Sequence, residues 1–276
     1  ITMLGGMMRS LTSRSVAYGG VLCAPGPEGI HALSILLETY RREHRRSVLF
    51  TELRNLTDLT HLQPILVEHG FEYRDHLNYL IDLTGPPEDL IQRLGRRTRK
   101  NVRRALRNQD TTIVEVVRRE QLKPCYELIQ KSYQRARVPV ADFSLFEAAF
   151  DILYPLGMIR IATAVVGTSL AAVSVELAYK DILYGWYSGV DRSFARYNPH
   201  ELLMWDTLHW GATKSYRVYD FGGAGDPEEE YGVRDFKAKF GGQLVCYGRN
   251  TFVPSPFRLA VSKVGYEIYR RLVIRA

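Results

Sequence analysis

The sequence predicts an α/β protein with mixed sheets, built from tandem copies of one folding unit of which the first copy is incomplete. Three observations predict it. From residue 111 to 252 the periodicity runs strand, two helices, three strands, helix, strand, helix, strand. Residues 16–83 repeat the last five of those elements in the same order, and a repeat of whole units outweighs any single local assignment. The chain has 276 residues, 46% of them apolar and 24% charged, which is a globular composition long enough for two cores.

The elements follow from their residue types. Residues 16–23 form a short β-rich run that stops before Pro25, and 29–46 carry apolar residues at helical spacing: Ile30, Leu33, Leu36, Leu37 and Tyr40. A strand at 47–53, a helix at 58–69 and one long strand at 71–83 complete the first copy. Gly85-Pro86-Pro87-Glu88-Asp89 is a helix start, with proline just inside and acids in the first turn. The helix it opens runs to about residue 107. Beyond it come a strand (111–117), helices at 120–135 and 143–153, and a meander at 158–166, 169–179 and 182–190. A helix at 199–214, a strand at 216–221, a Gly-rich loop, a short helix at 231–239, a strand at 243–252 and a helix at 258–271 finish the chain. The expected boundaries are therefore a partial first unit over 1–87, a linking helix over 88–110 and a second unit over 111–276. A chain that starts at Ile1 without a methionine fits residues missing upstream of that first unit.

Net charge is +7, from 37 basic and 30 acidic residues, which invites an anionic partner. The excess is local. Arg93, Arg96, Arg97, Arg99, Lys100, Arg103, Arg104 and Arg107 supply it, and the remainder of the chain is balanced to within one charge. Ile91, Leu94, Thr98, Val102 and Ala105 fall on one stripe of that helix, with every basic residue on the remaining arc. A merely solvated linker would mix signs, because like charges at Arg96/Lys100 and Lys100/Arg104 repel. A phosphate-bearing substrate or RNA relieves that repulsion; the segment has no aromatic residues with which to read bases.

Cys23, Cys125 and Cys246 lie far apart with no C-x-x-C pair, so neither a disulfide framework nor a cysteine-held zinc is expected, and a reducing cytosol is the default. The histidines show no metal-ligand spacing, and no Walker loop or nucleophile elbow appears. The apolar run 161–175 is too short to span a bilayer and is interrupted by Gly167-Thr168-Ser169, so it reads as two buried strands. The chain is expected to be cytoplasmic, with surface contact to a membrane left open and the oligomeric state undetermined.

From residue 111 onward the element order matches the GCN5-related acetyltransferase (GNAT) fold. Tyr79-Leu80-Ile81-Asp82-Leu83 followed by Arg99-Lys100-Asn101-Val102-Arg103-Arg104-Ala105 resembles the strand and basic helix joining the halves of FemAB-like proteins. Leu202-Leu203-Met204-Trp205, Tyr219-Asp220-Phe221-Gly222-Gly223 and Phe236-Lys237-Ala238-Lys239-Phe240-Gly241-Gly242 resemble their second half. Such proteins are twin-GNAT aminoacyl transferases that pass an amino acid from aminoacyl-tRNA to the peptide stem of a cell-wall precursor. The resemblance thus implies tandem GNAT-like acyltransferase units, a nucleotide-linked acceptor and tRNA as partner, with no bound cofactor. Two departures stand out. The sustained heptads of a helical tRNA arm are absent, and Arg192-Ser193-Phe194-Ala195-Arg196-Tyr197-Asn198-Pro199 lacks the glycines with which acetyl-CoA-binding members enclose a pyrophosphate.

Acyl transfer to an amine requires a neutral, aimed amine and a positive partner for the oxyanion. In the resemblance Lys237 matches the catalytic lysine. Asp220, at a strand's C-terminal end, could orient the amine or take its proton, or it could simply cap the turn. Gly222 and Gly223 let backbone approach a ligand or only make the turn. Arg234 and Phe236 flank Lys237 on the short helix, and Arg99, Arg103 and Arg104 are the candidates for phosphate. Tyr184 and Trp186 share one strand face and suit a cleft wall or core packing, and His200 begins a helix near them. Asn198 and Glu201 read as that helix's capping pair. Two rivals remain: an acyl-CoA-dependent N-acyltransferase, and a non-catalytic RNA- or nucleotide-binding protein.

Overall fold

In a computed structural model, residues 11–108, 110–136 and 138–273 are described. The elements in chain order are β1 (Ser15–Tyr18), α1 (Pro27–His44), β2 (Thr51–Arg54), α2 (Gln63–Glu68), β3 (Phe71–Arg74) and β4 (Leu77–Asp82). Then come α3 (Leu90–Arg93), α4 (Arg96–Asn108), β5 (Thr111–Glu115), α5 (Leu122–Ala136) and α6 (Phe143–Leu153). The meander is β6 (Ile159–Val166), β7 (Ser169–Tyr179) and β8 (Ile182–Val190). The chain closes with α7 (Pro199–Thr213), β9 (Val218–Gly223), α8 (Gly232–Ala238), β10 (Gln243–Cys246), β11 (Arg249–Phe252) and α9 (Pro256–Val273).

The chain divides into two compact units, and their boundary differs from the expected one. The first unit takes the described residues up to Leu77 and those from Cys246 onward; the second is Asn78–Val245. The two strands predicted as continuous, 71–83 and 243–252, are each broken in the middle. In both cases the halves join different sheets: β3 and β11 lie in the four-stranded sheet β1-β2-β11-β3, whereas β4 and β10 lie in the seven-stranded sheet β10-β4-β9-β8-β7-β6-β5. Residues 75–76 and 247–248 make the breaks, and Gly248 N donates to His76 O at 3.3 Å. The first break falls in the polar run Arg74-Asp75-His76 and the second at Gly248, in the left-handed region at φ 68°, so residue types mark where each strand bends, but not that its halves join different sheets.

In the first unit, β11 pairs antiparallel with β2 and with β3. Its core is Leu33 and Leu37 of α1, Leu53, Leu59, Leu62, Leu66, Phe71 and Phe252. The second unit has a core on each face of its sheet. Leu183, Tyr219, Ile81 and Phe221 meet Leu202, Trp205 and Leu208 of α7 and Val102 of α4. On the other face Ile161, Val173 and Val175 meet Ile129 of α5 and Phe146 and Phe150 of α6.

The basic helix is therefore part of the second unit rather than a linker between units. Nor is it continuous. After α3, Leu94 turns extended (ψ 143°) before α4 begins at Arg96. The cause is non-local: Gly95 N donates to Lys239 O at 2.8 Å, which takes that amide out of the helix. Within α4 the apolar stripe holds, with Thr98 and Val102 buried.

Candidate active site at the strand fork

The second sheet opens at one rung. β8 and β9 pair in parallel through Ile182↔Val218, Leu183↔Tyr219 and Tyr184↔Asp220, and pairing stops there. Both strands continue, β8 to Val190 and β9 to Gly223, so a fork opens directly beyond Asp220. Backbone groups at such a fork need other partners. On the β9 side they find them in buried ionisable side chains.

Asp220 Oδ1 accepts from Gly222 N at 2.7 Å. Lys237 Nζ donates to Phe221 O at 2.6 Å, Gly222 O at 3.2 Å and Gly223 O at 2.8 Å. One turn earlier on α8, Arg234 Nε donates to Ala224 O at 2.8 Å and Nη2 donates to Asp226 O. Two cations spaced i, i+3 on one short helix thus hold the carbonyls of the Gly-rich loop. Gly222 sits at φ 68°, in the left-handed region that turns three successive carbonyls toward one ammonium, and a Cβ there would lie 3.0 Å from the Tyr184 hydroxyl.

Burial tunes both ionisable groups. Asp220 is 4% exposed, and desolvation raises its carboxyl to about 6, against the opposing effects of the Gly222 N–H, the Lys237 charge and the Asn78 side chain. Desolvation pulls Lys237 down to about 8, with Asp220 opposing. At neutral pH Asp220 is mostly ionised and Lys237 mostly protonated. All three Lys237 protons are donated, so an oxyanion would have to replace one carbonyl, and the Gly222 contact is the longest.

The structure gathers Asp220, Gly222, Gly223, Arg234, Lys237 and Tyr184 around this loop. Phe236 points elsewhere: its ring stacks on His200, centroids 4.4 Å apart and 8° from parallel. Desolvation there, with the Lys239 charge, takes the His200 imidazole down to about 4, so it is neutral at pH 7. Trp186 belongs to the core, stacked on Phe146 at 5.5 Å. A bulge in the β7–β8 register between Val175/Tyr187 and Glu176/Gly185 brings Trp186 and Tyr187 into that same cluster. The expected capping pair does not form. Asn198 is left-handed (φ 52°) with no side-chain cap, and Glu201 Oε2 accepts instead from Asn101 Nδ2 of α4 at 2.9 Å.

Arg99 and Arg103 lie apart from the loop, in a groove along α4 lined also by Arg96, Lys100 and Arg107. Arg104 is exposed on the same helix outside that groove. The groove begins one residue after Gly95, whose amide is bonded to Lys239 at the end of α8.

Sequence reasoning missed a buried polar cluster beneath the fork. Arg160 of β6 faces Glu176 of β7 across the hairpin, and Arg160 Nη2 donates to Asp206 Oδ2 at 2.7 Å. Glu176 is 1% exposed, and desolvation raises it to about 7. The Tyr219 ring runs under β8 at Gly185, where a Cβ would stand 2.6 Å from its hydroxyl. The signal was present: Arg160 and Glu176 bracket the uncharged run at register-matched distances from the Gly167-Thr168 turn. Asn78 carried no such signal, because its link to Asp220 depends on β4 joining this sheet. Among the described residues no cluster of histidine, cysteine or carboxylate side chains could hold a metal ion.

Comparison with known proteins settles the family. The acetyltransferase (GNAT) domain profile matches residues 96–237, just over half of the chain. The chain belongs to the GNAT family. It is an acyltransferase by that membership, and the GNAT profile begins at α4 and ends at Lys237. Solved structures agree on the fold. FemX superposes with a TM-score of 0.66 at 15% identity, covering 90% of this chain and 82% of FemX. L-PGS from Bacillus licheniformis gives 0.60 at 11% identity, covering 91% and 82%. The C-terminal domain of a putative lysylphosphatidylglycerol synthetase from Agrobacterium fabrum gives 0.58 at 15% identity, covering 92% and 81%. No curated protein sequence matches the chain.

Proposed function

We propose that this GNAT acyltransferase moves an aminoacyl group from aminoacyl-tRNA to the amine of a peptidoglycan-precursor-like acceptor. One observation carries the choice of donor: the start of α7 offers no cradle for a diphosphate, while five cations line a groove on α4. Residues 192–197 form a tight 3-10 turn capped by Asp191, whose Oδ1 accepts from Ser193 N at 2.9 Å. That carboxylate is held ionised by its bonds to Ser193 and would repel a pyrophosphate. Pro199 then removes one of the amides that a helix N-terminus lends to phosphate. Both features disfavour an acyl-CoA donor. The α4 groove suits the phosphates of a tRNA or of a nucleotide-linked acceptor, with Arg99 and Arg103 as contacts.

At the fork, Asp220 takes the proton of the attacking amine. A base near pKa 6 is ionised at pH 7 and still basic enough to contribute on the order of 10²–10⁴ in rate. The amine attacks the ester carbonyl, and the oxyanion forms against Lys237, which exchanges its Gly222 contact for it. The leaving ribose hydroxyl recovers the proton. Losing a buried oxyanion donor costs about 10²–10³ in kcat. The test is transfer by wild type and Lys237→Ala, with ligand binding measured alongside. Binding retained with transfer lost supports the reading. Salt-sensitive RNA binding by a wild type that transfers from no donor contradicts it and favours a non-catalytic binder.

A further inference from the structure

We propose that α9 seats the first unit on an anionic lipid surface. The inference concerns α9 and the end of α1 alone and is independent of the transfer reaction. Phe257, Val261 and Val264 recur at i, i+4 and i+7 on α9 and are 76%, 43% and 61% exposed. Such spacing makes one continuous apolar stripe along a helix. Ala260 is exposed beside it, and a Cβ at Gly265 would meet nothing within 4 Å. The opposite side of the helix is the seated one, where Leu259 is half-buried and Ser262 Oγ donates to Leu11 O at 2.7 Å. Among the described residues none covers the stripe; Tyr266, on the seated side, is itself 44% exposed.

Charge identifies the occupant. Arg258 Nη1 donates to Arg45 O at 3.4 Å, which joins the first turn of α9 to the end of α1. That end carries Arg41, Arg42, Arg45 and Arg46 against the single acid Glu43, and Arg42, Arg45 and Arg46 are exposed. Lys263 is exposed on α9 itself, with Glu267 the acid of that helix. An apolar stripe edged by cations is the pattern of a helix lying in the interface of a bilayer with anionic lipids. A second copy of the chain fits poorly. Self-association would bring the same arginines together, and three side chains fall far short of the roughly 800 Å² per partner of a stable interface. No helix among the described residues is long and apolar enough to cross a membrane, so the contact is with the surface.

Sedimentation with phosphatidylglycerol/phosphatidylcholine vesicles, against phosphatidylcholine alone, tests it. The full chain should partition onto the mixed vesicles, weakly onto neutral ones, and less as salt rises. Phe257→Ser with Val264→Ser should lower partitioning about tenfold or more. Arg45→Gln with Arg46→Gln should lower it about fivefold per residue. All four positions are exposed, so the melting temperature should hold in both variants. If the serine pair perturbs folding, Val261→Ser with Val264→Ser reads the same stripe. The proposal is overturned if wild type does not discriminate the mixed vesicles, or if the stripe and arginine variants bind as wild type does. It is equally overturned if sizing shows a concentration-dependent dimer that the stripe variants abolish.

Discussion

Lys237 and Arg234 satisfy the carbonyls of residues 221 to 224 and of 226, and Asp220 takes the amide of Gly222. Buried charge thus stands in for the neighbouring strand that β9 lacks beyond the fork. Lys237→Met should leave three carbonyls without a donor and lower stability by about 2 kcal/mol or more, measured by urea unfolding. Asp220 predicts the opposite sign. Its folded pKa of about 6 lies above the ordinary aspartate value of 3.8, so between those values the folded state binds the extra proton and stability falls as pH rises. Above pH 6 the ionised carboxylate costs about 3 kcal/mol. Asp220→Asn should therefore raise the melting temperature at pH 7.5, leave it unchanged near pH 4, and abolish transfer. An Asn variant less stable than wild type at pH 7.5 contradicts the assignment of a strained, functional carboxylate. The motif residues were legible as a constellation, but the carbonyls that Lys237 holds were not. They depend on the left-handed backbone at Gly222, which a residue list does not display.

At the scale of elements, α4 shows what a sequence can and cannot carry. Segregation of Thr98 and Val102 from the cations is local and was readable from the wheel. The break before α4 was hidden, because the amide of Gly95 is claimed by Lys239, far along the chain. Val102 is fully buried between α4 and α7, and Val102→Ala should cost about 2 kcal/mol. Arg99→Ala and Arg103→Ala on the outer arc should leave stability within about 0.5 kcal/mol. Each should also reduce the slope of log affinity for RNA against log salt by about one. Unchanged slopes would remove the groove from the phosphate-binding surface.

For the whole molecule, the repeated element order was visible, and the exchange of strands between the repeats was not. Each repeat ends in a run that reads as one strand and divides into two, with the second half completing the other repeat's sheet. Arg74-Asp75-His76 and Gly248 mark the two bends, but the exchange of sheets depends on long-range pairing that no local pattern carries. The consequence is testable: β2 and β3 each pair with β11 and not with each other. A chain ending at Val245 should therefore lose the cooperative unfolding of its first unit. Phe252→Ala, which empties the Phe71 contact at 5.4 Å, should destabilise that unit by about 3–5 kcal/mol.

The proposed donor for this GNAT fold, which has no diphosphate cradle at α7, is an aminoacyl ester. The direct measurement is mass spectrometry of acceptor after incubation with charged tRNA or, separately, acetyl-CoA. UDP-linked muropeptide and phosphatidylglycerol serve as the acceptors. Charged tRNA alone should give a muropeptide heavier by one amino-acid residue, at a rate lost in Asp220→Asn. An acetylated product formed with acetyl-CoA alone would contradict it.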